Sequence, residues 1–553
     1  MKTNSNRSTM KWINQMSINQ RKMVIFLVIL ETLGGLISVA NAFLLRFIVN
    51  AVNQKDQDSF ILYCVILGSL FLLQIIISFL DRYFKEHTAS RIENLLKAKL
   101  LDATLYEDYT KVSALHSEEW INRMTSDCEI VSKSLVTFYP GLSRMIVQFI
   151  AAFSLIIYLA PKFGLVLIPV AVFLLVLTYF MRKRMKILHK NVREKDGAER
   201  IFFAETLRSL AVVHSFAKEV LMDKQGNEKM NDYHDARMKR NLFSCICSIG
   251  YVILFDFSYL FALIFSGINI INSTMMIGSL VSIITLVSQI QTPIASLTSF
   301  IPRYYTMASS GERIKSLCDE NLKKEDKIDG KKFYDESFSS IKLDHVSFSY
   351  QKENSSVDVL KDFSLDIHKG EKLAIVGHSG CGKSTLLKLL LNLCKPEEGR
   401  ISIVDTNNNE TSLNSYEKLF GYVPQENLLL IGTIKEAVSF FDEKVDEEKL
   451  QKSLTIANCD FVATLPEKEN TRLGEKGAGL SLGQLQRLSI ARAIYSDAPI
   501  LLMDEATASL DEESENIVLE NISQLENKTL IMVTHHHDNY RYFSKVLNME
   551  EQL

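Results

Sequence analysis

Residues Gly377 to Thr385 read GHSGCGKST, and they continue directly from the apolar run LAIVG (Leu373 to Gly377). This is the spacing G-x-x-x-x-G-K-[ST], placed where a strand is expected to turn into a helix. In that setting the backbone N–H groups of the loop converge on an anion, at the positive end of the following helix. Lys383 is long enough to reach the β- and γ-phosphates of a nucleotide, and the Ser384 hydroxyl can hold Mg²⁺. The loop therefore predicts a phosphate site made by Gly377, His378, Ser379, Gly380, Cys381, Gly382, Lys383, Ser384 and Thr385. Cys381 is part of the loop, but its thiol has no catalytic role in this chemistry.

A second run, LSLGQLQRLSIARAIYSDAPILLMDEATASLD (Leu480 to Asp511), narrows the kind of site. Its apolar stretch ILLMD carries Asp504 to a strand end with Glu505 beside it. In type and order the run resembles the ATP-binding-cassette (ABC) transporter family. Leu480-Ser481-Leu482-Gly483-Gln484 is similar to the family's signature LSGGQ, Ile500 to Asp504 to its Walker B strand, and Ala508 to Asp511 to its D-loop. GYVPQENLLLIGTI (Gly421 to Ile434) resembles the segment carrying the Q-loop glutamine, here Gln425. VSFSY (Val346 to Tyr350) puts Tyr350 where the family stacks adenine, and LIMVTH (Leu530 to His535) puts His535 like the switch histidine. TRLGEKG (Thr471 to Gly477) resembles the stretch before the signature in exporters.

The resemblance implies ATP and Mg²⁺ as cofactors and assigns roles that phosphoryl transfer needs, namely positioning and charge neutralisation. Ser384, Gln425 and Asp504 are expected to ligate the metal. Glu505 is expected to polarise the attacking water, with His535 and Gln425 completing the catalytic set. Ser481, Gly483 and Gln484 are expected to serve the nucleotide on a partner cassette, so that ATP is sandwiched in a head-to-tail dimer.

Before the cassette the composition changes. Mean hydropathy over the whole chain is slightly positive, and the apolar excess lies in its first three hundred or so residues, as expected of spans of roughly 20 residues each. Six stretches near that length are Met23 to Val49, Phe60 to Leu80, Leu142 to Leu159, Phe163 to Phe180, Leu242 to Ile271 and Met275 to Ile301. The first is too long for the apolar region of a cleavable signal peptide. Lys11, Arg21 and Lys22 precede it, and the long connections Asp81 to Gly141 and Met181 to Asn241 are rich in Lys and Arg, so the N-terminus and both connections are expected in the cytoplasm with the cassette. Arg91 to Tyr109 and Phe202 to Val220 carry apolar residues at helical spacing and read as helices extended beyond the bilayer. SEEWINRMTSDCEIV (Ser117 to Val131) and ERIFFAETLRS (Glu199 to Ser209) resemble the two turns that touch the nucleotide domains in exporters, and ASSGERIKSLCDE (Ala308 to Glu320) the end of an exporter membrane part.

The expected fold class is thus an α-helical six-span membrane domain plus an α/β P-loop ATPase, in the architecture of ABC exporters. The expected domains are a transmembrane part over 1–320, a charged linker over 321–337 and a nucleotide-binding domain over 338–553. No internal repeat is visible, so the chain resembles a half-transporter that works as a dimer in the cell membrane.

Other features bound the function. The net charge of −3 gives no basis for a nucleic-acid partner. The eight cysteines show no zinc spacing and read as reduced, small apolar residues. Glu31, Arg46 and Asp256 interrupt apolar stretches. Arg46 is expected to snorkel to the interface, and Glu31 and Asp256 are either cavity residues or helix–helix polar contacts. Leu482 stands where the family has a second glycine, which fits a homodimer with a variant signature or a heterodimer with one altered site; the homodimer is preferred. The chain also stops sooner after His535 than the family usually does, an expected loss of outer packing rather than of catalysis. ATP-driven export is the leading expectation, and an uptake transporter or an ATP-regulated channel is the alternative. Peptide, lipid and drug-like substrates all stay open. The Lys, Ile and Asn usage fits an AT-rich bacterial genome.

Overall fold

A computed structural model of the chain describes residues 2–106, 109–113, 117–318, 328–352, 355–425, 432–474 and 479–551. Residues 321–327 of the linker read over 321–337, part of the Gly421 to Ile434 segment and the end of TRLGEKG fall outside the described residues. The chain divides into two compact units: Met1–Leu105 with His116–Asn321, and Tyr106–Leu115 with Leu322–Leu553.

The first unit is helical. After α1 (Lys2–Met16) come α2 (Arg21–Gln54), α3 (Gln57–Tyr106), α4 (Tyr109–Ser113), α5 (Ser117–Asn122), α6 (Cys128–Leu159), α7 (Pro161–Arg208), α8 (Leu210–Ser215), α9 (Glu219–Ile271) and α10 (Ile277–Cys318); of these, α4 belongs to the second unit. Helices of this length far exceed what a globular core needs, and they match spans with extensions. Among the described residues, four segments are long and apolar enough to cross a membrane: Ile18–Gln54, Gln57–Tyr106, Ser117–Leu159 and Glu219–Ile271. The two other apolar stretches from the sequence fall in α7 and α10. Leu72, Ile75 and Phe79 of α3 stand more than half exposed, an outward apolar surface that water would penalise and lipid would not. Inside the bundle, Val39 and Ala42 of α2 pack with Ala152 and Ile156 of α6, Phe163 of α7, Ala262 of α9 and Ile283 and Leu286 of α10.

Two readings change here. Of the two segments compared with exporter turns, the second is the end of a long helix and not itself a turn. Glu199 to Ser209 is the last stretch of α7 and the residue after it, and the short helices between long ones are α4, α5 and α8. Ser117 to Val131 forms α5, a π-helical turn at Arg123–Asp127 and the start of α6. That turn is pinned because buried Asp127 accepts from Arg313 Nε of α10 at 2.7 Å and pairs with its second guanidinium nitrogen as well. Glu31 proves to be the helix–helix contact: it is buried and pairs with Lys85 of α3 and, at 3.0 Å, with Arg144 of α6. Asp256 is exposed on α9, and Arg46 sits 5.9 Å from the Phe47 ring centroid.

The second unit holds α11 (Gly330–Glu336), α12 (Lys383–Leu390), α13 (Ile434–Ser439), α14 (Glu447–Ile456), α15 (Phe461–Thr464), α16 (Leu482–Tyr495) and α17 (Glu512–Ser523). Its principal strands are β1 (Phe338–Lys352), β2 (Ser355–His368), β3 (Lys372–Val376), β4 (Glu398–Asp405), β5 (Glu410–Ser412), β6 (Phe420–Val423), β7 (Ile500–Asp504), β8 (Thr529–Val533) and β9 (Lys545–Asn548). An antiparallel sheet runs β2-β1-β4-β5, and a parallel sheet runs β9-β3-β8-β7-β6. Every residue of β7 and β8 is buried, which is why ILLMD and TLIMV read as unbroken apolar runs, as strands covered on both faces do. Between the sheets, Leu386, Leu387, Leu389 and Leu390 of α12 are fully buried, each side chain contributing about 1.5–3 kcal/mol of transfer free energy. This core fixes α12, and with it the loop that precedes it.

Candidate active site

In a parallel α/β sheet, ligands gather at the carboxyl ends of the strands. β3, β8 and β7 are consecutive neighbours, with Asp504 beside Val533 and Val533 beside Ile375. Their ends therefore deliver Gly377, Asp504, Glu505 and His535 to one edge.

The phosphate loop leaves β3 through Gly377 and enters α12 through Gly382. Gly377 has φ +146 and Gly382 φ +98. A β-carbon on Gly382 would lie 2.9 Å from Val359 Cγ1, and one on Gly377 would lie 2.8 Å from Cys381 Sγ. Only glycine fits both the dihedral and the space. Cys381 is buried beneath the loop, whereas His378, Ser379 and Gly380 are exposed at its rim. Lys383 is 5 % exposed and donates to the Gly377 and His378 carbonyls at 2.7 and 3.0 Å. An ammonium buried this far must be satisfied, and the loop supplies the oxygens. Thr385 is buried, and its hydroxyl lies 3.4 Å from that of Tyr350.

Ser384 Oγ donates to Asp504 Oδ1 at 3.1 Å. Burial pushes the Asp504 carboxyl above its ordinary range, the Ser384 hydrogen bond opposes this, and Glu505 adds to it. A carboxylate held in that condition gains from a cation. Paired with a serine hydroxyl it makes a hard-oxygen donor set that suits Mg²⁺. Glu505 collects the remaining expected residues: Gln425 Nε2 donates to its Oε2 at 2.9 Å, and His535 Nε2 lies 3.0 Å from its Oε1. Gln425, Glu505 and His535 thus form one cluster, and Lys383, Ser384 and Asp504 another beside it.

The signature residues lie elsewhere in the chain. Ser481 caps α16: its Oγ accepts from the Gln484 N–H at 3.2 Å, and Gln484 Oε1 accepts from the Ser481 N–H at 2.9 Å. Among the described residues, no hydrogen bond joins Ser481, Gly483 or Gln484 to the phosphate loop. Leu482 points out of its own fold, 59 % exposed, so it disturbs neither the cap nor the core.

Sequence reasoning missed three groups. Gln486 of α16 is bonded to the backbone at Glu505 and Ser509. Glu515 of α17 is buried and accepts from Thr507 Oγ1 at 2.6 Å and Asn539 Nδ2 at 2.8 Å. Glu550 accepts from the His378 N–H at 2.8 Å. Only Gln486 left a signal, as a polar residue among the apolar positions of α16.

An ATPase sheet carrying a phosphate loop, fused to long apolar helices, defines an ATP-driven membrane protein. Comparison with known proteins agrees. The family description "ABC transporter transmembrane region" matches residues 24–294, and "ABC transporter" matches 360–508. The ATP-dependent permease MDL1 of Candida albicans is 30 % identical over 486 residues, spanning 85 % of this chain and 70 % of that protein. The putative multidrug export ATP-binding/permease protein YgaD of Bacillus subtilis (strain 168) is 26 % identical over 545 residues, 96 % of this chain and 92 % of that one. A solved structure of a bacterial Atm1-family ABC exporter with ATP bound shares the fold, with a TM-score of 0.79 at 20 % identity over 96 % of this chain and 94 % of that chain. The chain belongs to the ABC transporter family. It has the exporter fold of a half-transporter, in which ATP hydrolysis is coupled to export.

Proposed function

We propose that two copies of this chain assemble head to tail in the cytoplasmic membrane and use MgATP to export a substrate, with six spans per copy, the N-terminus and the ATPase on the cytoplasmic side, and a bacterial source. The domain limits that go with this reading are 1–320, 321–337 and 338–553. The observation that carries it is the Glu505 cluster, a strand-end carboxylate held by an amide and an imidazole beside the Ser384–Asp504 pair.

Each residue then has a task. The loop from Gly377 to Thr385 binds the phosphates through its N–H groups, and Lys383 exchanges loop carbonyls for phosphate oxygens. Tyr350 supports the adenine. Ser384, Asp504 and Gln425 would hold Mg²⁺, which when bound would neutralise phosphate charge. Glu505 takes a proton from the attacking water, and His535 fixes that water's orientation and donates toward the γ-phosphate. Ser481, Gly483 and Gln484 complete the site of the facing copy. The outward Leu482 leaves the fold of the signature helix intact, so the variant position is compatible with a homodimer.

The substrate is a peptide, a lipid or a drug-like compound. The test is transport by inverted vesicles holding this chain alone, with a labelled panel of all three classes. ATP-dependent accumulation inside those vesicles is expected. Loss of substrate from preloaded inverted vesicles would point to uptake, conductance without accumulation to a channel, and activity only after adding a second half-transporter to a heterodimer.

A further inference from the structure

Helix α16 carries a buried amide for which hydrolysis, as described above, has no use. Gln486 is 1 % exposed. Its Nε2 donates to the Glu505 carbonyl at 3.0 Å, and its Oε1 accepts from the Ser509 N–H at 2.9 Å. The reverse amide orientation would set oxygen against carbonyl and NH₂ against N–H, so one orientation alone satisfies both contacts.

The segment it grips is strained. Glu505 has φ +50, a left-handed conformation that a residue with a side chain seldom adopts and that surrounding contacts must enforce. The Glu505 N–H reaches Val533 O at a long 3.3 Å, and its carbonyl also accepts from the Ala508 N–H at 3.1 Å. Gly483 brings the same helix close at a second level: a β-carbon there would lie 2.9 Å from the Ser509 carbonyl oxygen. Helix α16 is thereby locked to residues 505–509 at two points, one of them the backbone of the expected base.

We propose that Gln486 is a positioning residue that holds Glu505 in its left-handed turn and so ties the aim of that carboxylate to the seating of α16. This rests on the head-to-tail reading above, in which the start of α16 faces the nucleotide of the other copy while Glu505 serves the nucleotide on its own loop. Gln486 then makes hydrolysis at one site depend on occupancy of the other.

The test uses the full chain in lipid nanodiscs with two variants. Gln486→Met keeps the length and removes both bonds. Gln486→Glu keeps the acceptor for Ser509 but sets a carboxylate against the Glu505 carbonyl. Both are expected to lose at least about tenfold in kcat with the KM for ATP within about twofold, the split that separates transition-state from uniform effects. The Hill coefficient for ATP is expected to fall toward that of independent sites. Activity of Gln486→Glu relative to the parent is expected to recover as pH falls, because its protonated carboxyl can donate to the Glu505 carbonyl again. A merely structural role would move KM, nucleotide binding and melting temperature together and show no such recovery; that result overturns the proposal, as does an unchanged kcat. Glu505→Gln serves as the control for assembly. If it fails to trap ATP in a dimer, the head-to-tail reading falls while the kcat split still decides the positioning role. If it traps ATP and the Gln486 variants keep the parent Hill coefficient, the link between sites is wrong.

Discussion

Ser481 can be tested in a way that separates holding a helix from touching a nucleotide. Its Oγ accepts from the Gln484 N–H and closes a capping box, and among the described residues no hydrogen bond takes up its own O–H. Replacing a capping serine by alanine removes one of the satisfied N–H groups at the helix start and costs about 1 kcal/mol. In a domain the size of this cassette that lowers the melting temperature by roughly 2–4 °C. Aspartate caps as well as serine does and adds favourable charge at the N-terminus, so Ser481→Asp is expected to melt at or above the parent temperature. Turnover behaves differently. A hydroxyl donating to a phosphate is worth about 1.5–3 kcal/mol, or about 10- to 100-fold at 1.4 kcal/mol per decade. Ser481→Ala loses that donor, and Ser481→Asp replaces it with an anion facing an anion. Alanine is thus expected to lose both stability and turnover, and aspartate turnover alone. The assay is steady-state ATP hydrolysis beside thermal unfolding, both on the purified full chain. An aspartate variant that hydrolyses ATP like the parent would show that Ser481 faces no phosphate and would remove the argument for a shared site.

Three further outcomes are expected. Glu505→Gln loses about 10²- to 10⁴-fold in kcat, the range of a general base, while still binding ATP in a filter or fluorescence assay; near-parent turnover would assign the base elsewhere. Asp504→Asn abolishes hydrolysis yet melts higher than the parent at neutral pH without nucleotide. Because burial raises the folded pKa of Asp504, the fold binds that proton more readily than the unfolded chain, and the stability so conferred is present below the unfolded pKa and lost as pH rises through the folded one; a lower melting temperature for the variant would contradict the burial argument. Gly382→Ala forces a β-carbon into left-handed backbone at about 1–2 kcal/mol, besides meeting Val359, and weakens ATP binding measured by titration; unaltered affinity would mean the loop tolerates another path into α12.

The cassette was legible because its chemistry is local. The phosphate loop directly follows its strand and Glu505 directly follows the strand end at Asp504, and the buried strands β7 and β8 announce themselves as apolar runs. The bilayer-length helices were legible through length and hydropathy. What escaped was set by tertiary partners. Glu31 looked like either a cavity residue or a contact, and only the approach of Lys85 and Arg144 from α3 and α6 decides between them. Where α7 ends and α8 begins turns on a few residues around Ser209, and helical periodicity runs straight through them. Gln486, Glu515 and Glu550 act on backbone or side chains that only folding brings near, so their partners could not be read from spacing, and only Gln486, polar among apolar positions of α16, stood out at all.

The division of the chain into units has a consequence for handling the protein. Tyr106–Leu115 belongs with Leu322–Leu553, although it lies in sequence between stretches of the helical unit. The two units are therefore joined by three covalent crossings rather than one. A protease that cuts only in the charged segment near residue 322 severs the one peptide connection to Leu322–Leu553, which then keeps its inserted piece by packing alone, because both ends of Tyr106–Leu115 remain in the helical chain. A fragment begun at residue 322 would lack that piece altogether, so domain-swap chimaeras need their junctions at all three places to keep either unit whole.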